Sequence, residues 1–168
     1  MFKNFIKQNQ LALIMLTILF LMDRFSKFFI LKLVEQDEKL DLYITSYLNL
    51  YLIWNKGIAF GLLSFDESII YNIITALILI IILILLIMIV RSKGFLKYSL
   101  VAVMAGALGN VFDRIYYSAV PDFIDFHINE FHWFIFNIAD IFVTIGVFCL
   151  ICVELFINKE IKKNEKNY

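Results

Sequence analysis

From Ser68 to Val90 the chain runs without a single charged side chain, and that stretch decides the solvent in which it folds. A helix needs about 20 mainly apolar residues to cross the hydrocarbon of a bilayer. Three other stretches reach that length: about Leu11 to Leu33, Leu96 to Arg114 and Phe134 to Ile157. Of the 168 residues, 62% are hydrophobic and 18% charged, where soluble domains carry roughly half and a quarter. The sequence therefore predicts an all-α polytopic membrane protein, one integral domain over residues 1–168 with four transmembrane helices. Formal net charge is zero, so bulk electrostatics point to no nucleic-acid partner.

Lys3 and Lys7 ahead of the first apolar run resemble the start of a cleavable leader. A small-x-small cleavage site is missing, however, and the run continues through Asp23, Arg24 and Lys27; it is read as a retained helix. Basic residues near span ends set orientation. Arg91, Lys93 and Lys97 fill the second-to-third connection, and Lys159, Lys162, Lys163 and Lys166 follow the fourth span. The other two connections hold mainly acids: Glu35, Asp37, Glu38, Asp41, Asp66 and Glu67, then Asp122, Asp125 and Glu130. Both termini are expected in the cytoplasm and both longer loops outside. Tyr47 to Trp54 is aromatic and β-branched, which suggests an interfacial strand broken at Lys56-Gly57. Phe123 to Trp133 is expected to lie along the membrane surface.

Charges inside spans cost about 2.5–3.5 kcal/mol each on insertion scales, so each needs a partner or a task. Asp23 and Lys27 are four apart and share a helix face. Ser26 and Lys27 are adjacent, about 100° apart, which disfavours a serine/lysine dyad. Ala102, Gly106 and Asn110 recur every four residues, a stripe that lets another helix approach closely. Arg114 follows one turn later with five donors for a carboxylate or carbonyl. On the fourth span Asn137, Asp140 and Thr144 form one polar stripe, with Asp140 about two turns inside the boundary. The third span ends and the fourth begins at the same face, which brings Asp140 towards Asp113, Asp122 or Asp125. Two carboxylates sharing a site push their ionisations apart, the arrangement aspartic proteases use. The spacing alone leaves Asp140's partner open among those three.

Cys149 and Cys152 lie in an apolar run with no second pair, so they read as packing residues. His127 and His132 read as interfacial residues without a clustered carboxylate or thiolate set, and no metal site is expected.

Five motifs resemble the lipoprotein signal peptidase (signal peptidase II) family: Asp23-Arg-Phe-Ser-Lys27, Asn55-Lys-Gly-Ile-Ala-Phe-Gly61, Gly106-Ala-Leu-Gly-Asn-Val-Phe-Asp-Arg114, Val120-Pro-Asp-Phe-Ile-Asp125 and Phe136-Asn-Ile-Ala-Asp140. They stand in the family's order on the expected topology. The resemblance implies an aspartic endopeptidase of the bacterial cytoplasmic membrane, its site at the extracytoplasmic face. Its substrates would be diacylglyceryl prolipoproteins, cut just before the lipidated cysteine. It implies Asp122 and Asp140 as the catalytic pair, with Asp113 a structural neighbour of Arg114. Asp23, Lys27, Asn55, Gly57, Asn110, Arg114, Asn137 and Ala139 would support the site or hold substrate backbone. It further implies a small extracytoplasmic β-cradle at Tyr47 to Trp54, a surface helix near Phe123 to Trp133, contact with membrane lipid, and sensitivity to cyclic-peptide inhibitors. A metal-free mechanism without cofactor follows. The chain departs from the family's pattern in three places. Ala105 precedes Gly106 where two glycines are usual, a glycine common before Val120 is absent, and Pro121 replaces a frequent valine.

Two other readings remain from the residues alone. A small proton-coupled carrier would use Asp23, Asp140 and Arg114 as a relay, but its inner half offers only Glu154 as an acid. A non-enzymatic lipoprotein-binding scaffold gives no reason for converging aspartates.

Overall fold

The computed structural model describes residues 2–37, 41–57 and 68–157. Ile58 to Gly61 of the second motif, the acids Glu38, Asp66 and Glu67, and the lysines after Ile157 lie outside them. The element order is α1 (Phe2–Asp37), β1 (Asp41–Thr45), β2 (Leu48–Asn55), α2 (Ser68–Arg91), α3 (Gly94–Tyr117), β3 (Val120–Ile128), β4 (Phe131–Phe136) and α4 (Ile138–Cys152), followed by a π-helical turn at Val153–Ile157.

Three helical segments among the described residues are long and apolar enough to cross a membrane: Tyr71–Arg91, Gly94–Tyr117 and Ile138–Phe156. A helix satisfies its own backbone, which hydrocarbon demands. α2 turns Ile82, Leu85 and Ile89 inward onto Leu100, Val101 and Met104 of α3. Its other sides leave Ile80, Leu83 and Ile87 more than half exposed, an outer surface suited to lipid.

α3 is the hub, packing against α1, α2 and α4. Small residues allow this. A Cβ on Gly106 would strike the Ala139 carbonyl oxygen and stand 2.7 Å from Val143 Cγ2; one on Gly109 would stand 2.6 Å from an Asp23 carboxylate oxygen. The Ala105 methyl is fully buried and fits without glycine. α3 ends at Ser118 in the left-handed conformation, φ 56°. That region favours glycine, and in the stretch before Val120, where a glycine is common in the family, this chain holds Ser118 in it.

The fold is not all-α. The four strands form one antiparallel sheet in the order β1-β2-β3-β4. The segment expected as a surface helix, Phe123 to Trp133, is instead most of the β3–β4 hairpin. Aromatic and β-branched residues favour a pleated surface, and Asn129, φ 52°, supplies the tight turn before Glu130. β4 also takes Phe134 to Phe136 from the expected fourth span, so α4 starts at Ile138. Pro121, paired with Trp54 of β2, lies before β4 begins to pair at Ile124. It therefore needs no amide hydrogen on that side.

Candidate active site

Asn137 caps α4. Its side-chain oxygen accepts from the Asp140 amide at 3.2 Å, and its own amide donates to Asp140 Oδ2 at 3.1 Å, a reciprocal capping box. The same side chain has amide hydrogens left, and one goes to Asp122 Oδ1 at 2.5 Å. One fully buried asparagine thus holds carboxylates from β3 and α4 beside each other. Asn55, the last residue of β2, donates to Asp122 Oδ2 at 2.8 Å. Asn110 of α3 donates to Asp140 Oδ1 at 2.8 Å. The asparagine side chains face the carboxylates rather than an open groove.

Asp122 is buried and Asp140 partly so. Burial, then the negative charge of Asp140, push the Asp122 carboxyl up to about 6; the Asn55 and Asn137 amides and the Lys27 ammonium pull the other way. Such a group can carry a proton while its neighbour stays ionised.

A charged cluster stands behind this pair. Asp23 and Lys27 of α1 and Asp113 of α3 are buried to 2% exposure or less. Lys27 Nζ reaches Asp23 at 2.9 Å, Asp113 at 2.6 Å and the Asn110 side-chain oxygen at 3.1 Å. Arg24 binds both acids, with contacts of 2.5 Å to each, and donates to the Gly109 carbonyl at 3.0 Å. Asp23 Oδ1 accepts the Ala139 amide at 3.0 Å, which ties α1 to the first turn of α4. Arg114 donates to the Gly57 carbonyl, and Gly57 donates to Asn55 Oδ1 at 2.8 Å.

A family profile described as Signal peptidase (SPase) II matches residues 15–156. The chain belongs to the signal peptidase II family. The chain is 54% identical to the lipoprotein signal peptidase of Pelagibacter ubique (strain HTCC1062), covering 96% of this chain and 97% of that one. It is 35% identical to the lipoprotein signal peptidase of Anaplasma phagocytophilum (strain HZ), covering 89% and 94%. Two solved bacterial membrane enzyme structures, obtained by the in meso method, share the fold. One has a TM-score of 0.70 at 27% identity, covering 88% of this chain and 94% of that one. The other has 0.68 at 28%, covering 87% and 88%.

Within this signal peptidase II chain, three residues depart from the sequence reading. Asp113 pairs with Arg24 and Lys27 of α1, not with its neighbour Arg114. Arg24, to which the sequence pattern gives no task, lies over the rings of Phe20 and Phe112; a third charge within five residues is the signal that marks it. Asp125, a candidate partner for Asp140, faces His132 instead. The two histidines therefore do have a carboxylate beside them.

Proposed function

We propose that this peptidase is an intramembrane aspartic endopeptidase. It removes the signal peptide from diacylglyceryl prolipoproteins, cutting before the lipidated cysteine with Asp122 and Asp140. The observation that carries the reading is the Asn137 bridge, which presents two carboxylates from different elements at one point. Asp140 also lines an apolar cavity of about 240 Å³ with Phe134, Phe136, Ile141, Thr144 and Ile145. That cavity opens beside the dyad and suits an apolar lipobox side chain; the family's cyclic-peptide inhibitors would compete for the same groove.

In this reading α1 is a fourth crossing, its charges neutralised by Asp113. Both termini face the cytoplasm, the chain is a single domain, and the sheet rests on the extracytoplasmic surface of the bacterial cytoplasmic membrane. Tyr43, Tyr47 and Trp54 are exposed on the sheet, in keeping with an interfacial position. The lipid-modified substrate approaches through the bilayer. Among the described residues Arg114 Nε and Nη1 are buried without a hydrogen-bond partner, two donors that a substrate carbonyl reaching this point would satisfy.

Asp140, ionised, takes a proton from water. The resulting oxygen attacks the scissile carbonyl carbon while protonated Asp122 donates its hydrogen bond to the carbonyl oxygen. As the tetrahedral intermediate collapses, the C–N bond breaks, and Asp140 passes its proton to the leaving nitrogen. The test is incubation of the purified chain in detergent with diacylglyceryl-modified and unmodified forms of one prolipoprotein. Release of signal peptide from the modified form is expected. Failure to cut it under conditions where it binds would replace the peptidase with a scaffold.

The same assay reads the proton on Asp122. The active form keeps it, so kcat/KM is expected to fall as pH rises through a midpoint near 6. The kcat limb lies higher, because bound substrate excludes water and disfavours ionisation further. A flat kcat/KM profile between pH 5 and 8 would contradict Asp122 as the acid.

A further inference from the structure

Polar groups that the cleavage reaction leaves unused gather where β2, β3 and β4 meet. Asp125 and His127 are two apart on β3, so their side chains leave one face, opposite that of Asp122. His132 of β4 is the cross-strand partner of His127 and shares its face. Between Asp125 and His127 the register slips, two steps on β3 spanning three on β4; bulges of this kind redirect side chains.

His132 Nδ1 lies 2.8 Å from Asp125 Oδ2, and His127 Nδ1 lies 3.9 Å from the same oxygen. The two rings stack at 5.0 Å with 24° between their planes. Asp125 is 4% exposed and His127 8%.

A hydrogen bond from His132 to Asp125 would account for those two groups alone. Two neighbours would stay unexplained. Among the described residues His127 Nδ1 is buried without a hydrogen-bond partner, and so is Asn49 Oδ1; Asn49 stands opposite Asp125 on β2. Buried polar atoms are rarely left this way, and all of these except His132 are electron-pair donors shut away from water.

We propose that Asp125, His127 and His132 bind a divalent cation of the zinc type, with Asn49 Oδ1 or water as fourth ligand. Zinc takes nitrogen and oxygen ligands at about 2.0–2.2 Å in a tetrahedron, which sets ligand atoms about 3.3 Å apart. The separations of 2.8 and 3.9 Å bracket that edge, and one ligand atom from each of the three residues lies within 4.8 Å of the others, so side-chain adjustment draws the three onto one ion. Two imidazoles disfavour calcium and magnesium, which prefer all-oxygen sets. Because the site faces away from Asp122, the ion ties β3 to β4 and takes no part in bond cleavage.

The chain contains two histidines in all, so with any purification tag removed, loss of zinc binding in the histidine variants separates this pair from the free thiols Cys149 and Cys152. Chelator-stripped full-length protein in detergent is titrated with zinc chloride by calorimetry. One tight equivalent is expected, at least tenfold weaker in His132→Gln and in His127→Gln, with no matching site for calcium or magnesium. His132 is mostly exposed, so His132→Gln is expected to fold and to keep its peptidase turnover. Cobalt(II) added to the wild type gives a folding-independent check, the visible absorption of a four-coordinate nitrogen–oxygen site. Absence of a stoichiometric zinc site in the wild type, or unchanged affinity in His132→Gln, overturns the proposal. Loss of peptidase activity in both metal-loaded and metal-free protein would count against the proposed function and leave the zinc titration unaffected.

Discussion

Asp122→Asn and Asp140→Asn are each expected to slow prolipoprotein cleavage by about 10³-fold or more, a loss of about 4 kcal/mol of transition-state stabilisation. Both substitutions keep size and remove one ionisable oxygen. The double variant is expected to be no slower than the worse single variant, because a base without its acid partner has nothing to complete. Each change also costs hydrogen bonding. Asp122 accepts amide hydrogens on both oxygens from Asn55 and Asn137, and Asp140 accepts on both from Asn110 and the Asn137 amide. An asparagine offers one oxygen, so about 1–3 kcal/mol of stability is expected to go with the activity. Unfolding in detergent therefore has to accompany the rates. Asp125→Asn keeps its turnover in this scheme. Asp113→Asn, if folded, also retains cleavage, since its carboxylate meets Arg24 and Lys27 rather than the reacting pair. A folded Asp113→Asn without activity beside an active Asp122→Asn would move the dyad elsewhere.

How far the sequence reached depended on which periodicity dominated a segment. α2 was legible because nothing interrupts its apolar run, and lipid is the solvent that such a run requires. The Gly106 stripe was legible for the same reason: i, i+4 spacing of small residues has one use on an apolar helix, and Ala139 sits against Gly106. β4 was hidden because Phe131 to Phe136 is aromatic and only Asn137 separates it from the apolar run of α4. Its strand character depends on pairing with β3, a non-local contact. The spacing of Asn137, Asp140 and Thr144 makes Asn137 the first step of a helical stripe, but it is the cap, outside the helix proper. The Asn-x-x-Asp spacing was the signal that marked it. The pairing of Asp113 with α1 required knowing which way α3 turns towards α1. Sequence separation of nearly ninety residues concealed it.

In the proposed mechanism Asn137 is both the cap of α4 and the support of the Asp122–Asp140 pair, and its position accounts for the coincidence. A helix N-terminus leaves amides unsatisfied, and the first turn of α4 would be costly to bury without acceptors. Asp140 takes the Asn137 amide, and Asp23 takes the Ala139 amide from across the helix interface. The groups that let α4 begin inside the protein are therefore the ones that place Asp140. Stability of this helix start and geometry of the dyad are set by the same hydrogen bonds.

Lys27→Met is expected to cause the largest loss of stability of any single change away from the dyad, about 3–5 kcal/mol, read by reversible unfolding in detergent. Lys27 is 2% exposed and lies between Asp23 and Asp113, both fully buried. Removing one member of a buried ionic set leaves charge without compensation in a low-dielectric interior, which costs far more than a surface ion pair. In the wild type two acids face two cations. Lys27→Met leaves both carboxylates with Arg24 alone. Lys27→Met/Asp113→Asn restores the balance, with Arg24 against Asp23, and is expected to recover part of the loss despite being the larger change. That non-additivity separates charge compensation from loss of packing, because methionine is close in size to lysine and asparagine to aspartate. The effect reaches the dyad as well. Lys27 fixes the Asn110 side-chain oxygen at 3.1 Å, and the amide of that residue holds Asp140. With Lys27 absent the Asn110 amide can turn, so the folded fraction of Lys27→Met is expected to cut more slowly than wild type at equal substrate occupancy. A single variant within 1 kcal/mol of wild type, or a double variant less stable than the single, would show that α1 and α3 are held by packing rather than by this buried charge balance.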